Sequence, residues 1–209
     1  LSIARFPPKV KGIIFLFPTQ AMGVTTLREN LQKNIAAVKQ LLPSEDILTY
    51  EFETADGVSC AFVYADGVVD KQLLGELVAK PLSNMNLQNE GGRYKNTFEL
   101  IQNLVLPTEL KEQKKLEDIG KEILNGNSLL LVDGYPSGII IDAKSLPVRA
   151  ITEPPTDVAV RGPREGFIED IKTNMSLVRK RLKTPALRFE TLRVGKQSDT
   201  AVAICWLEG

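Results

Sequence analysis

An internal repeat at an offset of 140 residues constrains this chain more than any single motif. Leu27 to Leu42 (LRENLQKNIAAVKQLL) lies over Phe167 to Leu182 (FIEDIKTNMSLVRKRL) without a gap. Each copy of a repeat is one supersecondary unit, so architecture follows from the repeat before any site is read. Leu27, Leu31, Ile35, Val38 and Leu42 step by 4, 4, 3 and 4, and Phe167, Ile171, Met175, Val178 and Leu182 do the same. That spacing predicts two amphipathic helices, each with one buried stripe. Asn34 falls over Asn174, and a polar residue at the same helical position in both copies suggests an amide bonded to loop backbone, or else a plain solvent-facing asparagine.

Strand-like runs follow each helix: Ile47 to Glu53 and Val58 to Ala65 in the first copy, Leu187 to Val194 and Thr200 to Leu207 in the second. Ala55-Asp56-Gly57 is a tight hairpin signal, while Gly195 to Asp199 is a longer polar loop that moves the offset to 142. The first copy continues into an expected helix over Val68 to Lys80, stopped by Pro81. The second reaches Gly209 where its equivalent would begin, so the chain reads as cut from a longer protein, with an amphipathic helix expected next and apolar spans later. Between the copies, Thr108 to Leu124 reads as a helix with Thr108 as N-cap and Gly126 just past its end. Ser128 to Asp133 and Gly138 to Ala143 read as a hairpin around Gly134-Tyr135-Pro136-Ser137, and Ser83 to Tyr94 is the most linker-like stretch.

Histidine is absent, which removes Ser-His-Asp and Cys-His nucleophile pairs and His-ligated zinc. No phosphate-binding loop pattern follows a strand, and no two acids have a spacing that argues for a shared catalytic site. No enzyme, metal or cofactor is therefore expected. The apolar runs Gly12 to Phe17 and Ser137 to Ile141 fall far short of the roughly 20 residues of a spanning helix, so the chain reads as soluble. Cys60 and Cys205 fall on inferred strands and read as small buried hydrophobes. The 26 basic and 26 acidic side chains cancel, which leaves no footprint for nucleic acid. The cancellation is uneven: residues 161 to 196 hold ten basic against four acidic side chains, and residues 45 to 122 hold eight against fifteen. Such opposite surpluses suit either surface scatter or attraction between two lobes.

Residues 153 to 167, EPPTDVAVRGPREGF, are the densest constellation. Gly162, Pro163 and Gly166 shape a tight loop ahead of the second repeat helix, with Arg161, Arg164 and Glu165 inside it. The arginines could hold an anionic ligand near helix amides, but forks onto carboxylates of a neighbouring lobe are favoured, because Glu165 would repel a carboxylate. Asn174 joins these three as a ligand-binding or interlobe candidate. Lys172, Arg179, Lys180, Arg181 and Lys183 form a basic helical end that complements the helix dipole.

Glu153 to Lys183, with Arg193-Val-Gly, Ser198-Asp-Thr200 and Trp206-Leu-Glu-Gly209, resembles the A subunit of GerA-type nutrient germinant receptors of endospore-forming bacteria. Weaker resemblance runs back to about Leu27 and leaves residues 1–26 as an unmatched N-terminal arm. The resemblance implies a soluble N-terminal domain of a receptor in the spore inner membrane. It also implies B and C subunits as partners, a membrane region C-terminal to this chain, and no catalytic residues. The expected fold is an α/β (α+β) mix of two related subdomains, 27–107 and 108–209, with amphipathic helices on short mixed or antiparallel strands. The expected function is germinant sensing or receptor assembly, with possible self-association. A pure interaction module with no ligand is the competing reading.

Overall fold

The computed structural model describes residues 26–87, 97–104, 109–145 and 166–209. Within them the repeat is realised bond for bond. Helix α1 (Leu31–Leu41) starts at Asn30, whose side chain accepts from the Lys33 N–H, and ends with the Leu42 N–H donating to the Val38 carbonyl. Its copy 140 residues on starts at Asp170, which accepts from the Thr173 N–H, and ends with the Leu182 N–H donating to the Val178 carbonyl. After each helix an N–H closes a turn, Ile47 onto Ser44 O at 3.0 Å and Leu187 onto Thr184 O at 3.3 Å. Antiparallel pairs β1 (Ile47–Glu53) with β2 (Ser59–Ala65), and the later Leu187–Val194 with Thr200–Leu207, then follow.

The stretch between the copies builds the rest. It contains α2 (Lys71–Leu73), a π turn (Leu74–Ala79), α3 (Lys80–Ser83), α4 (Thr97–Leu104), β3 (Leu110–Gln113), α5 (Leu116–Leu124), β4 (Ser128–Val132) and β5 (Gly138–Ile141). The second-copy elements are α6 (Ile171–Arg181), β6 (Leu187–Val194) and β7 (Thr200–Leu207). One sheet has the order β1-β2-β4-β5-β3, all neighbours antiparallel, and β6-β7 is a separate hairpin. Side chains alternate across a strand. Ala61 and Val63 of β2 therefore face α1 and α5, while Tyr50, Phe52, Phe62 and Tyr64 face the helical stretch after Asp70. The main core fills both sides of this sheet, and every residue of β4 and β5 is buried.

Four expectations change. The helix over Thr108 to Leu124 is instead β3 followed by α5, and Thr108 lies outside the described residues. ELKEQ has good helix formers, but pairing of Leu110–Gln113 with β5 closes the edge of an otherwise complete sheet, and tertiary pairing overrides propensity. The helix after Asp70 does not stop at Pro81 but runs to Ser83. Proline clashes with the carbonyl four residues back, and the widened π turn ahead of it, with Lys80 N–H bonded to the Gly75 carbonyl, relieves that crowding. The boundary at 107/108 runs through one hydrogen-bonded sheet, because β4 pairs with the edge of β2 and needs cover on both faces. Finally, Cys60 is buried as expected but Cys205 is exposed, lying in the stretch of β7 from Ile204 to Leu207 that is exposed throughout.

Candidate functional site

The two copies meet at a seam formed by the turn before β1, the inner face of α6 and the start of β6. Four hydrogen bonds secure the ends of the copies before the seam is reached. Asn34 accepts from the Arg28 N–H at 2.9 Å and donates to the Arg28 carbonyl at 2.6 Å. Asn174 accepts from the Ile168 N–H at 2.9 Å and donates to the Ile168 carbonyl at 2.6 Å. Each amide thus closes the loop six residues upstream, which leaves the Asn174 side chain a positioning role. Close approach completes the docking. Gly67, at φ +72° in the turn after β2, lies so near α6 that an added Cβ would be 2.6 Å from the Ser176 Cβ.

At the centre of the seam lies Arg179 of α6, only 1% exposed. Its guanidinium forks onto Asp46 of the first copy, Nε to Oδ2 at 2.6 Å and Nη2 to Oδ1 at 2.7 Å. The remaining donors reach the Thr184 carbonyl at 3.1 Å, the Leu187 carbonyl at 3.1 Å and Ser44 Oγ at 3.2 Å. Its flat face stands 5.2 Å from the Phe189 ring centre. Ser44 Oγ donates to Asp46 Oδ1 and accepts from the Phe189 N–H at 3.0 Å. The Glu45 carboxylate accepts from the Thr191 N–H at 2.7 Å, which ties the first copy's turn to β6. A buried charge survives only when paired and fully bonded, and this one is.

Beside the fork, a crevice of about 460 Å³ opens between Lys39, Pro43 and Glu45 of the first copy and Arg188, Glu190 and Trp206 of the second. It is polar at its rim and apolar at its base, where Leu42, Ile47 and Phe189 meet. No cluster of metal-ligating side chains occurs among the described residues. Burial, with Asp56 and Asp133 adding to it, pushes the Cys60 thiol up to about 12, so it is a packing group and not a nucleophile. Asp170 is held below the usual carboxylate range, chiefly by the Thr173 hydroxyl, as befits a helix cap.

Arg161, Arg164 and Glu165 lie outside the described residues. Among the described residues an interlobe fork is made by Arg179. By sequence alone Arg179 belongs to the basic end of a helix. The available signal was its place next to Val178 on the buried stripe, where a side chain faces inward.

Fold and seam together define a duplicated α+β domain whose halves are joined by a buried ion pair. Residues 31–209 match the family described as Bacillus/Clostridium GerA spore germination protein, and the chain belongs to that family. Spore germination protein KA of Bacillus subtilis (strain 168) is 32% identical over 184 residues, covering 86% of this chain and 33% of that protein. GerLA of Bacillus cereus is 30% identical over 184 residues, covering 87% of this chain and 37% of that protein. The chain spans about a third of the length of such relatives. A crystal structure of the N-terminal domain of the A subunit of the Bacillus megaterium spore germinant receptor GerK3 superposes with a TM-score of 0.70 at 26% identity. That match covers 90% of this chain and 68% of that one. The expected α+β fold and membership of the germinant receptor A subunits both hold. Among the described residues no helix is long and apolar enough to cross a membrane.

Proposed function

We propose that this chain is the sensing and coupling domain of a germinant receptor A subunit, acting with B and C subunits at the spore inner membrane. The observation that carries this reading is the seam. A ligand-sized crevice lies against a buried fork that joins the two copies, so occupancy and the relative placement of the copies would be linked. Arg161, Arg164 and Glu165 remain candidates for the rim of such a site or for further interlobe forks. No catalytic step is proposed.

Titration of this chain with amino acids, sugars and simple ions, followed by thermal unfolding, tests the reading. A germinant bound at the seam raises the melting temperature as its concentration passes its dissociation constant. Spores carrying Arg188→Ala with Glu190→Ala should then lose the response to that germinant. A melting temperature unmoved by every nutrient favours the second reading, a pure interaction module. The exposed Val202, Ile204 and Trp206 of β7 support that alternative, being a surface suited to a protein partner or to self-association.

A further inference from the structure

A second cavity lies away from the seam, between the outer face of the β1–β2 hairpin and the π turn. It measures about 690 Å³, within the range of small-molecule sites. Its floor is a shelf of rings. Tyr50 and Phe52 stand 6.2 Å apart at 28°, Phe52 and Phe62 5.1 Å apart at 29°, and Tyr64 continues the row as the neighbour of Phe62 two residues along β2. Tyr50 is 55% exposed, a large ring left uncovered on a strand whose other rings lie under the helical stretch.

The wall opposite the shelf has two local irregularities. It is a π turn, a wider and less stable form than the α-helix that recurs at functional sites. It also carries Gly75. Glycine inside a helix is destabilising relative to alanine, and here neither of its usual reasons applies. Gly75 has no positive φ, and a Cβ there would meet nothing within 4 Å. Gly75 lines the cleft, so what the glycine provides is open space at its wall.

The rim supplies the chemistry of the head group. Lys71 Nζ is 2.6 Å from Asp66 and 5.9 Å from the Tyr64 ring centre. Lys80 Nζ pairs with Glu76 at 3.2 Å, but both side chains are more than half exposed and such a pair is worth little. Lys80 can therefore exchange Glu76 for a ligand at small cost. A near-parallel row of rings suits a flat or branched apolar body rather than a quaternary ammonium, which needs rings on several sides. Asp66 already engages Lys71, so the exposed Lys80, held only by the weak Glu76 pair, is the cation left to meet an anionic head.

We propose that this cleft binds a small carboxylate with a flat or branched apolar body, the body resting on the Tyr50–Phe52–Phe62 shelf and the carboxylate at Lys80. The site goes beyond the seam crevice and does not depend on it, since the two share no lining residue.

The test is calorimetric titration of this chain with phenylacetate, with phenethylamine as the same ring on a cationic head. Phenylacetate should bind saturably, with phenethylamine at least about tenfold weaker. Lys80→Gln should abolish that difference. Gly75→Leu, which fills the cleft, should abolish binding of phenylacetate while the melting temperature holds; Tyr50→Ala, at an exposed position, should weaken it independently of any effect of Gly75→Leu on folding. Equal binding of the two probes, phenylacetate binding untouched by Gly75→Leu and Tyr50→Ala, or no binding up to about 10 mM would each overturn the proposal.

Discussion

Asp46 and Arg179 are the pair on which the relation of the two copies turns, and a buried pair of this kind behaves asymmetrically under mutation. Removing one partner strands the other charge, so Asp46→Ala should cost about 3–5 kcal/mol in urea unfolding. Replacing both by apolar groups, as in Asp46→Leu with Arg179→Met, should recover much of that loss, because no charge is left to desolvate. Equal instability of the single and double variants would contradict this account. The two cysteines separate as cleanly. Iodoacetamide at pH 8 should label Cys205 in the folded chain and spare Cys60, whose thiol is buried and protonated. The raised pKa also fixes a sign: the contribution of the neutral thiol is fully present below its ordinary 9.0 and is lost as pH rises from there toward about 12. Legibility differed sharply among single residues. Asn34 and Asn174 were readable because one amide serves one loop twice, at the same helical position. Arg179 was not, because a basic residue near a helix C-terminus already has an adequate explanation in the dipole, and Asp46 lies 133 residues away.

At the scale of elements, periodicity identified those with a clear face and failed where a partner element decided. Helices α1 and α6 and all four hairpin strands of the two copies carry strong spacing and were legible. Strand β3 was not, since Lys111 and Glu112 are exposed and its identity comes from pairing with β5. Charges along such an edge also guard it against pairing with other chains. Strand β7 has no such guard. Its counterpart β2 is buried along nearly its whole length and pairs with β4 on its outer edge. By contrast Val202, Ile204, Trp206 and Leu207 of β7 are exposed. An open apolar edge strand of this kind associates. Light scattering of this chain should show association that grows with concentration, and Ile204→Lys should suppress it without lowering the melting temperature. Association unchanged by that substitution would place the contact elsewhere.

Across the whole molecule, stability is unevenly distributed. The first copy's sheet is packed on both faces, whereas the second copy's own core consists of Val178, Leu187 and Phe189 with Met175 and Leu182 beside them. Amide hydrogen exchange should therefore be slow in β2, β4 and β5 and much faster in β6 and β7. Uniform protection across both sheets would refute this gradient. The candidate seam site was only partly legible for the same reason: it is made where two copies touch, and a repeat specifies what each copy is without saying how they face each other. The fork is also one-way. Asp46 of the first copy has Ala186 as its equivalent, and Arg179 of the second has Lys39, which is exposed. One half therefore carries only the socket and the other only the stud. Two first halves cannot latch, nor can two second halves, and a strict head-to-tail string of copies has no way to grow. What began as duplication has become a joint with polarity, which accepts one pairing of halves and specifies the order in which they meet.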